Sequence, residues 1–209
     1  MSKKEDGSIV PSTISVPEIR IIDEVKLESK KTALIIVDMQ NDFVHPDGKL
    51  FVPSSRKTIK PIRELLERAR GRGVLRIFTM DTHYPGDPEF ELWGEHVLRG
   101  SWGWRIIDEL SPREDEVVIE KTRYDGFYGT PLDDILRTRG ISNVVVVGTV
   151  ANICVLHTAG SAALRWYRVI VPMDCISALN DFDYILALRQ ISFLYSGVIV
   201  RSSENVKFE

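Results

Sequence analysis

The length, composition and charge of the chain exclude several classes of protein. With 209 residues, of which 44% are hydrophobic and 27% charged, it has the size and composition of a soluble globular protein with a sizeable core. A net charge of −3 argues against a nucleic-acid partner, and no apolar run is long enough to span a membrane. Two cysteines, and an N-terminus without the apolar segment of a secretory signal, predict a cytoplasmic protein.

The first 30 residues differ in character from the rest of the chain. Residues 1–30 are mostly polar and contain Pro11 and Pro17, which predicts a mobile tail followed by an extended arm. Ile19 and Val25 give this arm apolar surface with which it could dock on a neighbouring copy of the chain. We therefore separate an N-terminal arm, residues 1–30, from a folded domain over residues 31–209.

Short β-branched runs alternate with amphipathic helical patterns from residue 31 onward. The expected strands cover residues 33–37, 74–80, 117–120, 144–147, 168–171 and 197–200. The expected helices cover residues 54–70, 131–139, 152–164 and 181–195. Alternation of this kind predicts an α/β fold in which a parallel sheet is covered by helices on both faces.

The stretch 144–158 carries a candidate nucleophile. Its first four residues are valines, which is typical of a strand buried on both faces, and Gly148 ends that strand. Asn152 is the predicted N-cap of the next helix, which places Cys154 in the first helical turn. There the helix dipole is expected to favour a thiolate, and free backbone N–H groups could bind an oxyanion.

Two further strands end in residues that can carry out chemistry. Asp38 follows the strand 33–37 and Lys121 follows the strand 117–120, so both lie at the sheet edge where α/β proteins build their sites. A thiol needs a base, and Asp38 could serve as one while Lys121 holds it in place. Taken singly, each residue has a plainer interpretation: a turn acid, a surface lysine, and in Cys154 a packed core thiol.

Three motifs carry a resemblance to a known family: VDMQNDF at 37–43, KTRYDGFYGT at 121–130 and GTVANICV at 148–155. In order and spacing they are similar to the signatures of the isochorismatase-like cysteine hydrolases, over roughly residues 31–201. The resemblance implies a six-stranded parallel sheet flanked by helices on both faces, a Rossmann-like three-layer sandwich. It would make residues 31–209 an isochorismatase-like hydrolase domain.

The resemblance also implies roles for the residues at the strand ends. The family's catalytic triad falls on Asp38, Lys121 and Cys154, and the cis peptide before the nucleophile falls on Thr149–Val150. The oxyanion hole would be the backbone N–H groups of Val150 and Cys154. A cysteine at this position is typical of the family's amidase branch, which hydrolyses small amides to acids and ammonia.

A second group of residues could bind a metal. Asp81 and His83 follow the strand 74–80, and His96 lies in a Pro-, Gly- and Trp-rich segment predicted to be a long functional loop. Alone, Asp-x-His is a weak signal for a divalent metal site and is more often a solvated pair. The resemblance to nicotinamidases strengthens it, with Glu89 as a possible fourth ligand and with zinc, manganese or iron(II) as the ion.

The substrate is the least determined feature. In nicotinamidases the metal holds the pyridine nitrogen, and Phe43 and Trp93 match aromatic residues that line the nicotinamide pocket. The short segment after Lys121 and the residue Asn152 instead resemble the carbamoyl- and ureido-amide hydrolases. Nicotinamide is the first expectation, and N-carbamoylsarcosine or a ureido-type amide is the alternative.

Hypotheses from other classes also follow from the sequence. A nucleotide-binding module would need a glycine-rich phosphate loop, which the sequence after residue 147 does not supply. A catalytically silent or redox-sensing protein could use Cys154 without turnover. The expected partners are a small-molecule amide and, because homo-oligomers are usual in the resembling family, further copies of the chain.

Overall fold

Buried β-branched segments form the centre of the molecule. The computed structural model describes residue 13 and residues 15–209. Its strands are β1 (Ile21–Ile22), β2 (Val25–Leu27), β3 (Thr32–Val37), β4 (Leu75–Asp81), β5 (Val117–Lys121), β6 (Asn143–Thr149), β7 (Arg168–Pro172), β8 (Ile176–Ser177), β9 (Val198–Val200) and β10 (Val206–Phe208). Its α-helices are α1 (Asn41–Val44), α2 (Ser55–Gly71), α3 (Phe90–Trp93), α4 (Leu132–Thr138), α5 (Leu156–Leu164) and α6 (Asp181–Phe193).

The main sheet is parallel. Its strands lie in the order β1-β9-β7-β6-β3-β4-β5, and β8 pairs with the end of β6. The six predicted strands are all present, as β3, β4, β5, β6, β7 and β9, which confirms the predicted α/β class and its parallel sheet. Two strands of only two residues each, β1 and β8, extend this sheet beyond the six that were expected.

Helices cover both faces of the sheet. Along β3, Ala33, Ile35 and Val37 pack into one core together with apolar residues of α4, α5 and α6. Leu34 and Ile36 point the other way, into a second core with α2. Since side chains alternate across a strand, this uncharged segment fills both cores, as a strand of a doubly covered sheet must. The three layers match the predicted sandwich.

The N-terminal segment lies against the C-terminal end of the same chain. Strand β1 pairs in parallel with β9, and β2 pairs in parallel with β10 to form a separate two-stranded sheet. Val25 and Leu27 are buried in the core on the α2 side. Residues 1–12 and 14, on which the predicted mobile tail falls, lie outside the described residues. Among the helices of the described residues, none is long and apolar enough to cross a membrane.

Candidate active site

Asp38 lies at the carboxyl end of β3, in the middle of the sheet. Its backbone is left-handed, with φ of 51°, a conformation that aspartate tolerates better than most residues. The turn directs a fully buried carboxylate over the strand ends. There Thr79, on the neighbouring strand β4, donates a hydrogen bond of 2.7 Å from its Oγ1 to Asp38 Oδ1.

Lys121, the last residue of β5, contacts the other site residues through its ammonium group. Its Nζ lies 2.7 Å from Asp38 Oδ2 and 3.1 Å from Asp81 Oδ1, and it donates a 3.0 Å hydrogen bond to the carbonyl of Arg123. The same nitrogen lies 3.8 Å from the Sγ of Cys154. The structure therefore brings together the three residues predicted as a triad, and adds Asp81 as a second carboxylate on the lysine.

The turn after β6 directs Cys154 toward this lysine. Gly148 has a φ of 119° and packs so closely on β3 that a Cβ atom would lie 2.1 Å from the carbonyl oxygen of Val37, so only glycine fits. The peptide bond Thr149–Val150 is cis, which confirms the prediction for that bond. The positive φ of Gly148 thus lets the chain turn from the strand into the helix that carries the thiol.

The start of this helix differs from the prediction. A π-helical turn covers Ala151–Val155, Val150 is the capping residue, and no side chain caps the turn. Asn152 therefore lies inside the turn, and its prediction as an N-cap was wrong, because the extended backbone ends two residues earlier than the side-chain pattern indicates. Cys154 still lies in the first turn and is buried, with 5% of its surface exposed.

Burial sets the protonation states of the site. It raises the pKa of the Cys154 thiol well above its usual value; the charge of Lys121 opposes this shift, and the charges of Asp38 and Asp81 add to it. The predicted preference for a thiolate was therefore wrong for the resting site, because burial outweighs the charge of Lys121. Burial also raises the pKa of Asp38. For Lys121, burial lowers the pKa, but the neighbouring acids outweigh it and raise the net value.

A cavity of about 370 Å³ opens beside the thiol. Phe43, Trp93 and Cys154 all line it, so the two aromatic residues predicted for the substrate pocket do face the site. Trp93 donates a 2.9 Å hydrogen bond from its Nε1 to the hydroxyl of Tyr124. The motif comparison did not identify the loop after α1, which lines the cavity with Lys49, Leu50, Phe51 and Val52.

Four buried side chains form a candidate metal site at one side of the cavity. Asp81, His83, Glu89 and His96 each offer one ligand atom, and these four atoms lie within 4.8 Å of one another. Nε2 of His83 and Oε1 of Glu89 are buried without a hydrogen-bond partner among the described residues. The other ring nitrogens are held, since His83 Nδ1 lies 2.9 Å from Asp87 and His96 Nδ1 lies 2.8 Å from the carbonyl of Gly94.

This donor set fits a divalent cation such as zinc. Two imidazoles and two carboxylates are usual zinc ligands, and a second ring nitrogen held by an acceptor is the usual support of a metal-binding histidine. A bound cation would also provide partners for the two buried atoms that otherwise lack one. The four residues predicted as metal ligands, including Glu89, therefore lie where they could bind one ion.

Asp81 joins the two halves of the site. Its Oδ1 contacts Lys121, and its Oδ2 lies 3.4 Å from Nε2 of His83. Burial raises the pKa of this carboxyl, but Lys121 and His83 outweigh it and lower the pKa to about 2. Gln40, which the motif comparison left without a role, accepts a hydrogen bond from the N–H of Asp81 and donates one to its carbonyl, each 2.8 Å long. It thus fixes the backbone of the bridging residue.

The fold and the site together define a parallel α/β protein with a buried acid, lysine and thiol beside a cavity. The model of the Isochorismatase domain matches residues 32–205. The chain therefore belongs to the isochorismatase family, which confirms the resemblance seen in its motifs.

Solved structures of the same fold include several amidases. N-carbamoylsarcosine amidase from Thermoplasma acidophilum is 42% identical, with a TM-score of 0.76 over 82% of this chain and 96% of that chain. Pyrazinamidase/nicotinamidase from Streptococcus mutans is 31% identical, with a TM-score of 0.77 over 80% and 99%. Pyrazinamidase of Pyrococcus horikoshii, in complex with zinc, is 30% identical, with a TM-score of 0.77 over 81% and 98%. Hydrolases and amidases are thus the structural neighbours of this enzyme.

Proposed function

We propose that this protein is a cysteine amidohydrolase that converts a small primary amide to the acid and ammonia through a thioester. One observation carries the proposal: the ammonium group of Lys121 lies 2.7 Å from Asp38 and 3.8 Å from the thiol of Cys154, beside a cavity. A base, a cation and a nucleophile are the parts that acyl transfer to a thiol requires.

The first half of the reaction forms the thioester. Because its pKa is raised, the Cys154 thiol is protonated at rest, so Asp38 takes its proton as the sulfur attacks the amide carbon. The negative charge that develops on the carbonyl oxygen is bound by the backbone N–H groups of Val150 and Cys154. Asp38 then passes the proton to the nitrogen of the amide, the C–N bond breaks, and ammonia leaves.

The second half releases the acid. Asp38 removes a proton from water as the water oxygen attacks the thioester, and the proton returns to the sulfur when the C–S bond breaks. Lys121 keeps its charge throughout, since the neighbouring carboxylates raise its pKa. It therefore holds Asp38 in position and stabilises each negative charge that forms near the sulfur.

The four candidate metal ligands favour a substrate that has a ring nitrogen. Asp81, His83, Glu89 and His96 would hold a divalent ion, and such an ion supplies a Lewis-acid site that binds and orients a pyridine nitrogen. Phe43 and Trp93 add aromatic surface to the same cavity. Nicotinamide, which is neutral, planar and aromatic, is therefore the first substrate that we propose.

A second candidate, N-carbamoylsarcosine, is favoured by a different observation. The amidase for this compound shares 42% of its residues with this chain, against 31% and 30% for the two pyrazinamidases. The carboxylate of N-carbamoylsarcosine needs a cationic partner, and Lys49 is the one lysine or arginine among the described residues that line the cavity. Lys49 is half exposed and paired with Glu95 at 2.7 Å, so a substrate carboxylate would have to replace that partner.

A substrate panel tests the proposal. Ammonia release is measured for nicotinamide, pyrazinamide, N-carbamoylsarcosine and a ureido acid, with the wild type and the Cys154→Ala variant side by side. We expect one amide to be hydrolysed by the wild type and a loss of at least about 10⁴-fold in kcat for the variant. Equal rates for the two proteins would overturn the role of the thiol, and turnover of N-carbamoylsarcosine alone would overturn the choice of nicotinamide.

The proposed compartment is the reducing cytoplasm. Both cysteines of the chain, Cys154 and Cys175, are free and buried. Free thiols persist where the environment is reducing, which supports this placement. Assembly into a homo-oligomer stays a prediction, and light scattering on the purified protein would test it.

A further inference from the structure

Asp87 connects the metal ligands to a cationic side chain on another loop. Its Oδ2 lies 2.9 Å from Nδ1 of His83, and its Oδ1 accepts a 2.9 Å hydrogen bond from the backbone N–H of Glu89. The guanidinium of Arg123 donates to both oxygens of the same carboxylate, at 3.1 and 3.3 Å. One carboxylate thus contacts two of the four metal ligands and an arginine.

Arg123 also contacts both halves of the site. Its guanidinium lies 3.8 Å from Oε2 of Glu89, while its backbone carbonyl accepts the hydrogen bond of Lys121. Only two positions separate Arg123 from Lys121 in the sequence. The short segment after the lysine therefore brings a cation to the outer side of the metal ligands.

We propose that Asp87 and Arg123 are positioning residues of the metal site, which hold His83 and Glu89 in the geometry that binds a divalent cation. The proposal rests on the metal site of the proposed function, but it does not require that the bound metal contacts a particular substrate. Neither residue touches the reacting atoms.

The argument for Asp87 is one of tautomer and direction. An imidazole that binds a metal is neutral and carries one N–H group, and a carboxylate at 2.9 Å from Nδ1 favours the tautomer with that proton on Nδ1. The lone pair of Nε2 then points into the group of four ligands, where Nε2 is buried without a partner among the described residues. Outer supports of this kind determine the orientation and basicity of a metal-binding histidine.

The argument for Arg123 is one of charge. Glu89 adds a negative charge to the group of ligands, and Asp87 adds a further negative charge at 2.9 Å from His83. Without a cation nearby, these two carboxylates would repel each other when no metal is bound. The guanidinium of Arg123 contacts both carboxylates and so stabilises the arrangement in which the ligands are already in place.

Zinc binding by the purified full-length protein tests the proposal without any substrate. The dissociation constant for zinc is measured by competition with a chromophoric chelator, for the wild type and for Asp87→Ala, Asp87→Asn and Arg123→Met. We expect Asp87→Ala to weaken zinc binding about 10–100-fold. Asp87→Asn should recover most of this loss, because its amide oxygen still accepts from Nδ1 of His83. Arg123→Met should fall between Asp87→Ala and the wild type.

An exposed ion pair at the far edge of the sheet provides matched controls. Arg201 contacts Asp23 at 3.0 Å beside β9 and β1, away from the metal ligands, so Asp23→Asn and Arg201→Met should bind zinc as the wild type does. Thermal unfolding with and without zinc serves as a second readout. The zinc-dependent rise in Tm should shrink in Asp87→Ala, while the Tm of the metal-free protein should stay close to that of the metal-free wild type.

The outcomes separate this proposal from the proposed function. Three outcomes would each overturn the positioning role. They are an unchanged zinc affinity in Asp87→Ala, an equal loss of affinity in the two control variants, and no zinc binding by the wild type. Selective loss of zinc binding in the Asp87 and Arg123 variants would support it even if no amide in the panel were hydrolysed. Failure of the amidase proposal alone would appear as zinc binding without ammonia release.

Discussion

Strands β4 and β5 carry a buried ion pair at each end, and the two ends differ in how well their charges are matched. At the amino ends, Arg76 contacts Glu116 at 3.1 Å, and Arg70 of α2 contacts the same carboxylate at 2.6 Å. At the carboxyl ends, Asp81 lies directly opposite Lys121 in the register and contacts it at 3.1 Å. The same pair of strands thus presents two charge clusters of opposite arrangement.

At the amino ends, one buried carboxylate is shared by two guanidinium groups. Both oxygens of Glu116 are bonded, since Oε1 accepts from Arg70 and Arg76, and Oε2 accepts from Arg70 and from the N–H of Arg113. Burial raises the pKa of Glu116, but these donors outweigh it and lower the pKa to about 2. A carboxylate held in this way stays charged and contributes to stability.

The cluster at the carboxyl ends has the opposite balance. One ammonium group, on Lys121, is shared by two carboxylates and lies beside a thiol, and burial raises the pKa of both Asp38 and Cys154. Natural proteins often keep unsatisfied charge where chemistry occurs and satisfy it elsewhere. We infer that the amino ends stabilise the sheet and the carboxyl ends serve the reaction.

The largest expected effect comes from neutralising the acid at the reactive end. Asp38→Asn removes the base but keeps an oxygen that can accept the hydrogen bond from Thr79, and it leaves Lys121 paired with Asp81. We expect kcat on the accepted amide to fall about 10²–10⁴-fold. The free energy of unfolding should change by no more than about 1 kcal/mol, because a buried charge is lost together with its cost of burial.

Steady-state kinetics and urea unfolding of Asp38→Asn and the wild type test both expectations. A kcat within twofold of the wild type, on the order of experimental error, would remove Asp38 as the base. A loss of several kcal/mol in stability, on the order of that for a broken ion pair, would mean that the carboxyl ends also hold the sheet together.

The cluster at the carboxyl ends was predictable from the sequence, for identifiable reasons. A buried strand leaves a recognisable β-branched run, so the positions of Asp38 and Lys121 just after such runs placed both at one edge of the sheet. The motif around Cys154 then indicated the cis bond before it. Each of these inferences depends on residues close together in the sequence and on the rule that parallel strands end at a common edge.

The remaining features depend on contacts between distant segments. Glu116 lies 46 positions from Arg70 and 40 from Arg76, and no local pattern connects them. Arg123 reaches Asp87 across 36 positions because both loops leave the same sheet edge. Asn152 was misassigned for a related reason, since the turn after β6 sets where the helix begins. The composition of the chain and the spacing of its motifs do not show which distant residues will be in contact.

A smaller effect is expected from a substitution in the cluster at the amino ends. Glu116→Gln removes the charge shared by Arg70 and Arg76, which are 10% and 13% exposed, and leaves both guanidinium groups without their buried partner. We expect the free energy of unfolding to fall by about 2–3 kcal/mol, since both guanidinium groups lose charge-assisted hydrogen bonds to a buried carboxylate. They keep only the half-exposed Glu67 and the exposed Asp115 as acidic partners. Amide turnover by the folded variant should stay within about twofold of the wild type.

Urea unfolding at neutral pH measures the stability, and the substrate panel measures the turnover. Glu67→Gln is the matched control, because Glu67 contacts the same Arg70 at 2.6 Å but is half exposed. Exposed pairs contribute about 0–1 kcal/mol, so this control should unfold almost as the wild type does. A loss of turnover in Glu116→Gln at full stability would contradict the division between the two ends.

The smallest expected effect is a pH dependence of the difference between Glu116→Gln and the wild type. The pKa of Glu116 is about 2 in the folded protein, against an ordinary value of 4.5. The folded protein therefore holds this carboxylate ionised when the unfolded chain has begun to protonate it. Its contribution to stability is fully present above pH 4.5 and is lost as the pH falls from 4.5 towards 2.

Glutamine at this position cannot titrate, so the stability gap between variant and wild type should narrow over that interval, by up to about 1.4 kcal/mol per pH unit. Urea unfolding of both proteins at several pH values between about 7 and about 3 measures the gap. The gap between Glu67→Gln and the wild type should stay small at every pH, because Glu67 is half exposed. A Glu116→Gln gap that stayed constant down to pH 3, on the order of one unit above the folded pKa, would contradict this prediction. Glu116 would then not be held as strongly as its four hydrogen bonds indicate.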